Sequence, residues 1–437
     1  MFAEVAREHP RCVWLDGGGG RDWSGRRSLL GWLEPSDVSL TYSASRGEVT
    51  RHVDGRAEVV GSDVFEVLAR EVATGGQWFG YLGYACRADL PATPSADMPD
   101  AVWMRPSHLR LVDHDSPRED RTAPREHRNF RGVVQPRKFR SPRLTGDSAP
   151  APAPAPAAYR EAFEAVQEAL HAGDTYETNL TYRITVEQPH DPAAAYLMLR
   201  SVNPAPYAGF LQHDVPGAGA WLLSSSPERF ALVDDGWIET RPIKGTTPRS
   251  ADPATDAEHA RRLADDTKFR SENLMIVDLL RNDLSMVCEH GTVTVPDLMR
   301  VESYSSVHQL VSTVRGRLRE GIGTVDALRT LFPAGSMTGA PKLRTMEIID
   351  RVEAPPELGG PRGAYSGAFG WISADGAADL GVVIRTLTSP DRRRWTLGTG
   401  GGITVRSDVE EEYAESRWKA ERLLAALDAA GGGGVAG

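Results

Sequence analysis

Apolar and polar positions in this chain more often form short runs bounded by turn residues than a helical repeat. Runs at residues 12–15, 38–42 and 77–84 read as strands punctuated by glycine turns. Further strand-like stretches recur at 181–186, 221–224, 230–233, 367–372 and 380–386, and residues 237–240 read as a strand running into a loop closed by Pro242 and Gly245. Helical spacing is clear in fewer places. Residues 159–172 put Phe163, Val166 and Leu170 on one face and stop at Gly173, a glycine C-cap. The apolar run from Leu274 to Leu280 predicts a helix opened by Glu272, an acidic residue that suits the dipole of a first turn. Near the C-terminus Ser407 and Glu410 form a capping box, and the helix that follows places Glu412, Glu415 and Lys419 on one face. Hairpin spacings outnumber strand-helix-strand crossovers, so the expected fold is α+β, with mainly antiparallel sheets packed against each other and flanked by helices.

Composition changes this picture between about residues 113 and 158, a segment dense in Arg, Pro, Asp and Ser that ends in alternating Ala-Pro. Such a segment cannot bury a core and reads as a semi-rigid linker. It separates an N-terminal β-rich part, residues 1–112, from a larger catalytic part, residues 159–430. Its arginines, from Arg118 to Arg143, are mixed with acidic residues and carry few interleaved aromatics, which argues against a nucleic-acid arm. The net charge of -10 across 437 residues argues the same for the whole chain and against an acidic membrane, so an anionic ligand has to be held by specific residues. Cys12, Cys86 and Cys288 are widely spaced, offering neither a disulfide framework nor a zinc site, and a cytoplasmic location is expected. No segment supplies the roughly 18 apolar residues of a membrane span.

Candidate chemistry lies after the linker. Lys244 follows a strand and can act as a nucleophile if burial, or a cationic neighbour such as Arg241 or Arg249, lowers its pKa; a solvated strand-end lysine is the plainer reading. Glu228 sits in a turn between two strands, where burial would make it a general acid. One carboxylate from Glu272 and one from the C-terminal helix would suffice for Mg2+, a hard cation that keeps several waters. Two glycine segments can receive a carboxylate on backbone N–H groups: residues 398–403, which follow a strand, and residues 335–342, which lead into a helix with Pro341 in its first turn.

Taken in order, the motifs resemble the chorismate-utilising enzymes. They are GDTYETNLTYR (173–183), SSPERF (225–230), RPIKGT (241–246), SENLMIVDLLRNDL (271–284), VHQLVSTV (307–314), FPAGSMTGAPKLRTMEIID (332–350), YSGAFGW (365–371), IRTL (384–387), GTGGGI (398–403) and EEEYAES (410–416). The likeness is nearly unbroken from about 159 to 427, and before the linker rests on VWLDGG and WFGYLGY. It is strongest toward the members that aminate chorismate at C4, whose PIKGT segment carries the lysine seen here as Lys244, where the anthranilate, isochorismate and salicylate branches usually have alanine. The water-adding branches also carry a base lysine at the position of Glu177. The resemblance implies Lys244 as nucleophile, Glu228 as acid, His308 beside the reacting hydroxyl, and Mg2+ on Glu272 and Glu415 with Glu412 in support. It further implies carboxylate binding by Tyr365, Arg385, Lys419 and the amides of Gly400, Gly401 and Gly402, with Gly245, Thr246 and Thr338 lining the ring site. Ammonia would come from a glutamine amidotransferase, since no cysteine here sits in a Gly-x-Cys-x-Gly elbow. Two departures stand out. Phe269 replaces an acidic residue common three positions before Glu272, and the N-terminal Leu-Leu-Glu-Ser of tryptophan-responsive relatives is absent, so tryptophan feedback is not expected. An anthranilate or aminodeoxyisochorismate synthase, or an inactive scaffold, are the competing readings.

Overall fold

The computed structural model describes residues 1–17, 27–113, 154–304 and 307–431. Most of the linker, including Arg118 to Arg143, lies outside the described residues.

Two antiparallel sheets form the body of the protein. One runs, strand beside strand, Gly339–Ala340, Glu177–Glu187, Arg394–Ile403, Thr386–Ser389, Ala220–Ser226, Tyr207–His213, Arg11–Asp16, Arg27–Trp32 and His108–Asp113. The other runs Ile243–Pro248, Val307–Arg317, Trp237–Arg241, Arg229–Asp234, Ala378–Val382, Ala368–Ser373, Gln77–Leu82, Ala101–Met104, Ser39–Ser43, Glu48–Val53 and Arg56–Gly61, with Thr294–Ser303 also paired to Val307–Arg317. Residues before 114 therefore supply strands to both sheets.

The period-2 pattern explains why several strands read as almost continuous apolar runs. In Gln77–Leu82, Trp78 and Leu82 face a helix layer with Val64, Leu68 and Leu328, while Phe79 and Tyr81 face the other sheet beside Leu211 and Leu222. In Ala220–Ser226 the sides reverse. Trp221 and Leu223 pack on the C-terminal helix at Leu423 and Leu427, and Ala220 and Leu222 fill the space between sheets. Both faces of each strand are buried, so the alternation that marks a one-sided sheet is absent.

Several local expectations change. The strand at Trp237–Arg241 does not give way to a loop: Pro242 interrupts it, and the chain resumes as Ile243–Pro248 along the same neighbour, Val307–Arg317. The stretch 380–386 breaks at residues 383–385, where Arg385 takes a positive φ of 50°. Residues 398–402 belong to the interior of Arg394–Ile403 rather than following a strand, because their partner Glu177–Glu187 continues alongside. Glu272 does not open its helix. Asp266 caps Thr267–Ser285 through the Phe269 amide, which puts Glu272 on a buried face past the first turn. The C-terminal helix Val409–Gly431 is capped by Asp408, whose carboxylate accepts from the Glu410 and Glu411 amides; the Ser407 hydroxyl turns to Glu412 instead. Pro341 stands at the N-cap of Lys342–Val352.

Candidate active site

The ends of both sheets and the helices Thr267–Ser285 and Val409–Gly431 enclose a cavity of about 730 Å³. Four elements supply its central groups. The turn after Ala220–Ser226 brings Glu228, and the resumed strand brings Lys244, Gly245 and Thr246. The Thr267–Ser285 helix presents Lys268, Phe269 and Glu272, and the C-terminal helix presents Glu412, Glu415, Trp418, Lys419 and Arg422.

Lys244 is nearly enclosed and its Nζ donates to Glu177, which is 1% exposed. Burial alone would lower the lysine pKa, but Glu177 first, then Glu272 and Glu228, raise it above the ordinary value. This reverses the sequence expectation. The arginines proposed to depress it are engaged elsewhere, Arg241 with Glu302 and Arg249 with Asp256. Glu228 behaves as expected: burial pushes its carboxyl up to about 7, against the opposing pull of the Ser336 hydroxyl at 2.7 Å and of Lys244. Glu228 is thus a carboxyl poised to give up a proton near neutrality.

Glu272 is also pushed to about 7, first by burial and further by Glu177 and Glu412, against Lys244 and Lys268; its Oε1 is buried without a hydrogen-bond partner. Glu412 accepts from Lys268 at 2.8 Å and Ser407 at 2.7 Å, and Glu415 pairs with Lys419 at 2.8 Å. Among the described residues no three such groups already converge as a ready metal cage. The donor set is nonetheless hard oxygen throughout, and the orphaned Glu272 oxygen is one that a hard cation would satisfy, so these residues fit Mg2+.

The far end is cationic. Arg385 lies over the Trp418 ring at 5.9 Å, and burial, with Arg422 nearby, lowers its pKa to about 10. Lys419 donates to the Gly400 carbonyl at 3.0 Å. Tyr365 closes this side, packed so tightly on the glycine strand that a Cβ on Gly398 would lie 2.2 Å from its ring. Pairing with Thr386–Ser389 on this edge stops at Leu397, and Gly398, Thr399, Gly400 and Gly402 beyond it line the cavity.

Not every predicted residue lines the space. Gly401 lies behind it, with its Cβ position 3.1 Å from Glu412. Thr338 is buried under the wall, its hydroxyl donating to the Gly335 carbonyl. His308 points away, held between Ser303 at 2.8 Å and Asp256 at 3.0 Å, and its strand neighbours Val307 and Gln309 face the cavity instead. Gln309, Lys268, Ser336 and Arg422 were not singled out from sequence. Only strand register or helix phase, once the boundaries are known, reveals them.

Comparison with known proteins agrees with this architecture. The chorismate binding enzyme family matches residues 11–425. The chain is 40% identical over its whole length to an aminodeoxychorismate synthase of Streptomyces pristinaespiralis, and 38% identical over 97% of its length to one of Streptomyces griseus. It spans 64% and 61% of those relatives. The crystal structure of anthranilate synthase component I from Streptococcus pneumoniae TIGR4 superposes with a TM-score of 0.71 at 25% identity, covering 91% of this chain and 92% of that one. With the match spanning both sheets and every cavity-lining element, the chain belongs to the chorismate binding enzymes.

Proposed function

We propose that this chain is the synthase part of an aminodeoxychorismate synthase, converting chorismate and ammonia to 4-amino-4-deoxychorismate. The observation that carries this reading is the pairing, in one cavity, of a buried lysine with a buried carboxyl that stays protonated to about pH 7. A lysine that attacks C2 while an acid protonates the C4 hydroxyl gives a covalent adduct; ammonia then enters at C4 and expels the lysine, two displacements replacing one difficult step. Glu228 is the acid and Lys244 the nucleophile.

Binding follows the charge layout. Arg385, Lys419 and Tyr365 at the cationic end suit a substrate carboxylate. Glu272 and Glu415, supported by Glu412, would hold Mg2+, which supplies counter-charge to the ring carboxylate. Gly245 and Thr246 border the ring, and Phe269 walls that side: a Cβ on Gly245 would come within 2.7 Å of its ring. The enolpyruvyl ether stays on the product, because nitrogen enters at C4. Among the described residues the three cysteines are buried, and none lies in an amidotransferase elbow, so ammonia comes from a glutaminase partner or fused domain.

Incubating the protein with chorismate, Mg2+ and an ammonium salt, followed by chromatography and mass spectrometry, tests the reading. A C4-amino product that retains the ether is expected. Anthranilate would move the chemistry to C2, and no turnover even with an added glutaminase would leave an inactive scaffold.

A further inference from the structure

Glu177 has no work in the scheme above, yet its placement is demanding. It is 1% exposed and sits behind the cavity wall, touching Lys244 Nζ through Oε1, while its Oε2 is buried with no hydrogen-bond partner. A carboxylate kept for scaffolding uses both oxygens, as Glu353 does when it accepts from Thr181, Arg183 and Arg362. Room for Glu177 depends on Gly402: a Cβ there would lie 2.3 Å from Oε1 and 3.1 Å from Lys244 Nζ. The other charges facing Lys244 are Glu228, from the turn, and Glu272, from the helix, itself flanked by Lys268 and Glu412. Glu228 must hold its own proton for the C4 hydroxyl, and no direct contact joins Lys244 to Glu272. An ammonium cannot attack carbon, so the nucleophile needs a proton acceptor in hydrogen-bond contact.

We infer that Glu177, resting on the proposed amination, is that acceptor: it holds Lys244 in place, takes its proton as chorismate is attacked and returns it when the lysine leaves. The Lys244 lone pair forms the N–C2 bond, the two ring double bonds shift toward C4, and the C4–O bond breaks. The departing oxygen takes the Glu228 proton and leaves as water. Ammonia then forms the N–C4 bond, the double bonds shift back, and the C2–N bond breaks with its electron pair returning to Lys244, which recovers its proton from Glu177. The new C4 ammonium gives its extra proton to Glu228, which restores the site. Glu177 acts through Lys244 and lies behind the wall that substrate meets.

The test compares wild type, Glu177→Gln and Glu177→Asp with chorismate, Mg2+ and ammonium across pH. Glu177→Gln should lower kcat about 10²- to 10⁴-fold with KM little changed, and its rate should climb with pH up to about 7, where Glu228 loses its proton, as solvent takes over the lysine proton. Glu177→Asp keeps an acceptor one methylene further away and should lie between the two without that climb. A Gln variant as fast as wild type at pH 7, or faster, would overturn the inference and make Glu177 only a brake that keeps Lys244 charged. If the Gln variant does not fold, the Asp variant decides: a lowered kcat with unchanged KM supports the role, and a wild-type kcat removes it. Wild type run alongside separates the two readings. Failure of wild type to aminate chorismate brings down both, whereas amination by wild type with full activity in Glu177→Gln brings down the role of Glu177 alone.

Discussion

Two buried ionic clusters hang on the strand Glu177–Glu187, and they are built to opposite rules. In the first, Glu353 receives the Thr181 amide and hydroxyl, Arg183 and Arg362, and Arg362 also donates to the carbonyls of Met337 and Asn179 and stacks at 4.5 Å on Tyr84. Burial would raise the Glu353 pKa, but Arg362 and then Arg183 outweigh it and hold the carboxylate below the ordinary range. In the second, around Lys244, three carboxyls face one amine, Glu228 and Glu272 are pushed to about 7, and oxygens of Glu177 and Glu272 have no partner. The first cluster ties the wall that carries Met337 to the glycine-strand side, and satisfied charges suit that task. The second keeps protons and one charge in reserve, which is what the proposed proton transfers require.

The sharpest way to break this contrast is to remove one member of each cluster. Lys244→Ala should cost on the order of 10⁴-fold or more in kcat, since the proposed nucleophile is lost, and less in unfolding midpoint than the loss of Glu353, because one buried carboxylate rather than two guanidinium groups loses its partner. Retained amination would mean that ammonia attacks without an adduct. Glu353→Ala should do the reverse. It strands two buried guanidinium groups and should cost about 3–5 kcal/mol of stability in denaturant unfolding. A midpoint equal to wild type would show that these arginines find water when their partner is gone.

Much of this was legible in the sequence, for definite reasons. Local pattern alone leaves the solvated strand-end lysine as the plainer reading of Lys244; the ordered motifs shared with the chorismate-utilising enzymes are what single out Lys244 and Glu228, and both line the cavity. The register of Glu412, Glu415 and Lys419 followed from helical spacing alone, and all three line the cavity. The scaffold cluster was not readable: Glu353 is 170 residues from Arg183, and no local spacing announces the pair. The face of His308 depended on its pairing with Thr247, which no periodicity fixes in a strand buried on both sides. Glu272 was misplaced at a helix start because the apolar run begins at Leu274, whereas the true cap, Asp266, precedes a polar turn.

Acidity separates the clusters without mutation. The carboxyls of Glu228 and Glu272 sit above the usual 4.5, so the stability linked to them is complete below about 4.5 and lost as pH rises through about 7. Glu353 sits below 4.5, so its contribution is complete above that value and lost only as acid carries the pH below its lowered pKa. The contribution of these two carboxyls to the unfolding temperature should therefore fall from pH 5 to pH 8, against the opposite slope of the buried His213, and Glu228→Gln or Glu272→Gln should remove that falling part. A slope unchanged in both variants would place the titrating groups elsewhere. Catalysis should share the upper limb if Glu228 is the acid proposed above, which acts in its protonated form.

The finest test concerns one hydroxyl. Ser336 donates to Glu228 Oε1 at 2.7 Å and so favours the ionised carboxylate, working against burial. Removing it with Ser336→Ala withdraws a hydrogen bond to a charged form, a change of roughly 1 kcal/mol, which corresponds to about 0.7 pH unit. The high-pH limb of kcat should move upward by that amount, because the acid now keeps its proton longer, and the rate on the plateau should change little. The direction is what decides. A limb that stays in place would mean that the falling rate reports Lys244 or Glu272 rather than Glu228. A limb that moves downward would mean that Ser336 accepts a hydrogen bond from a neutral Glu228 in the working enzyme, and the acid would then be held by a donor-acceptor arrangement opposite to the one that burial and the 2.7 Å contact support.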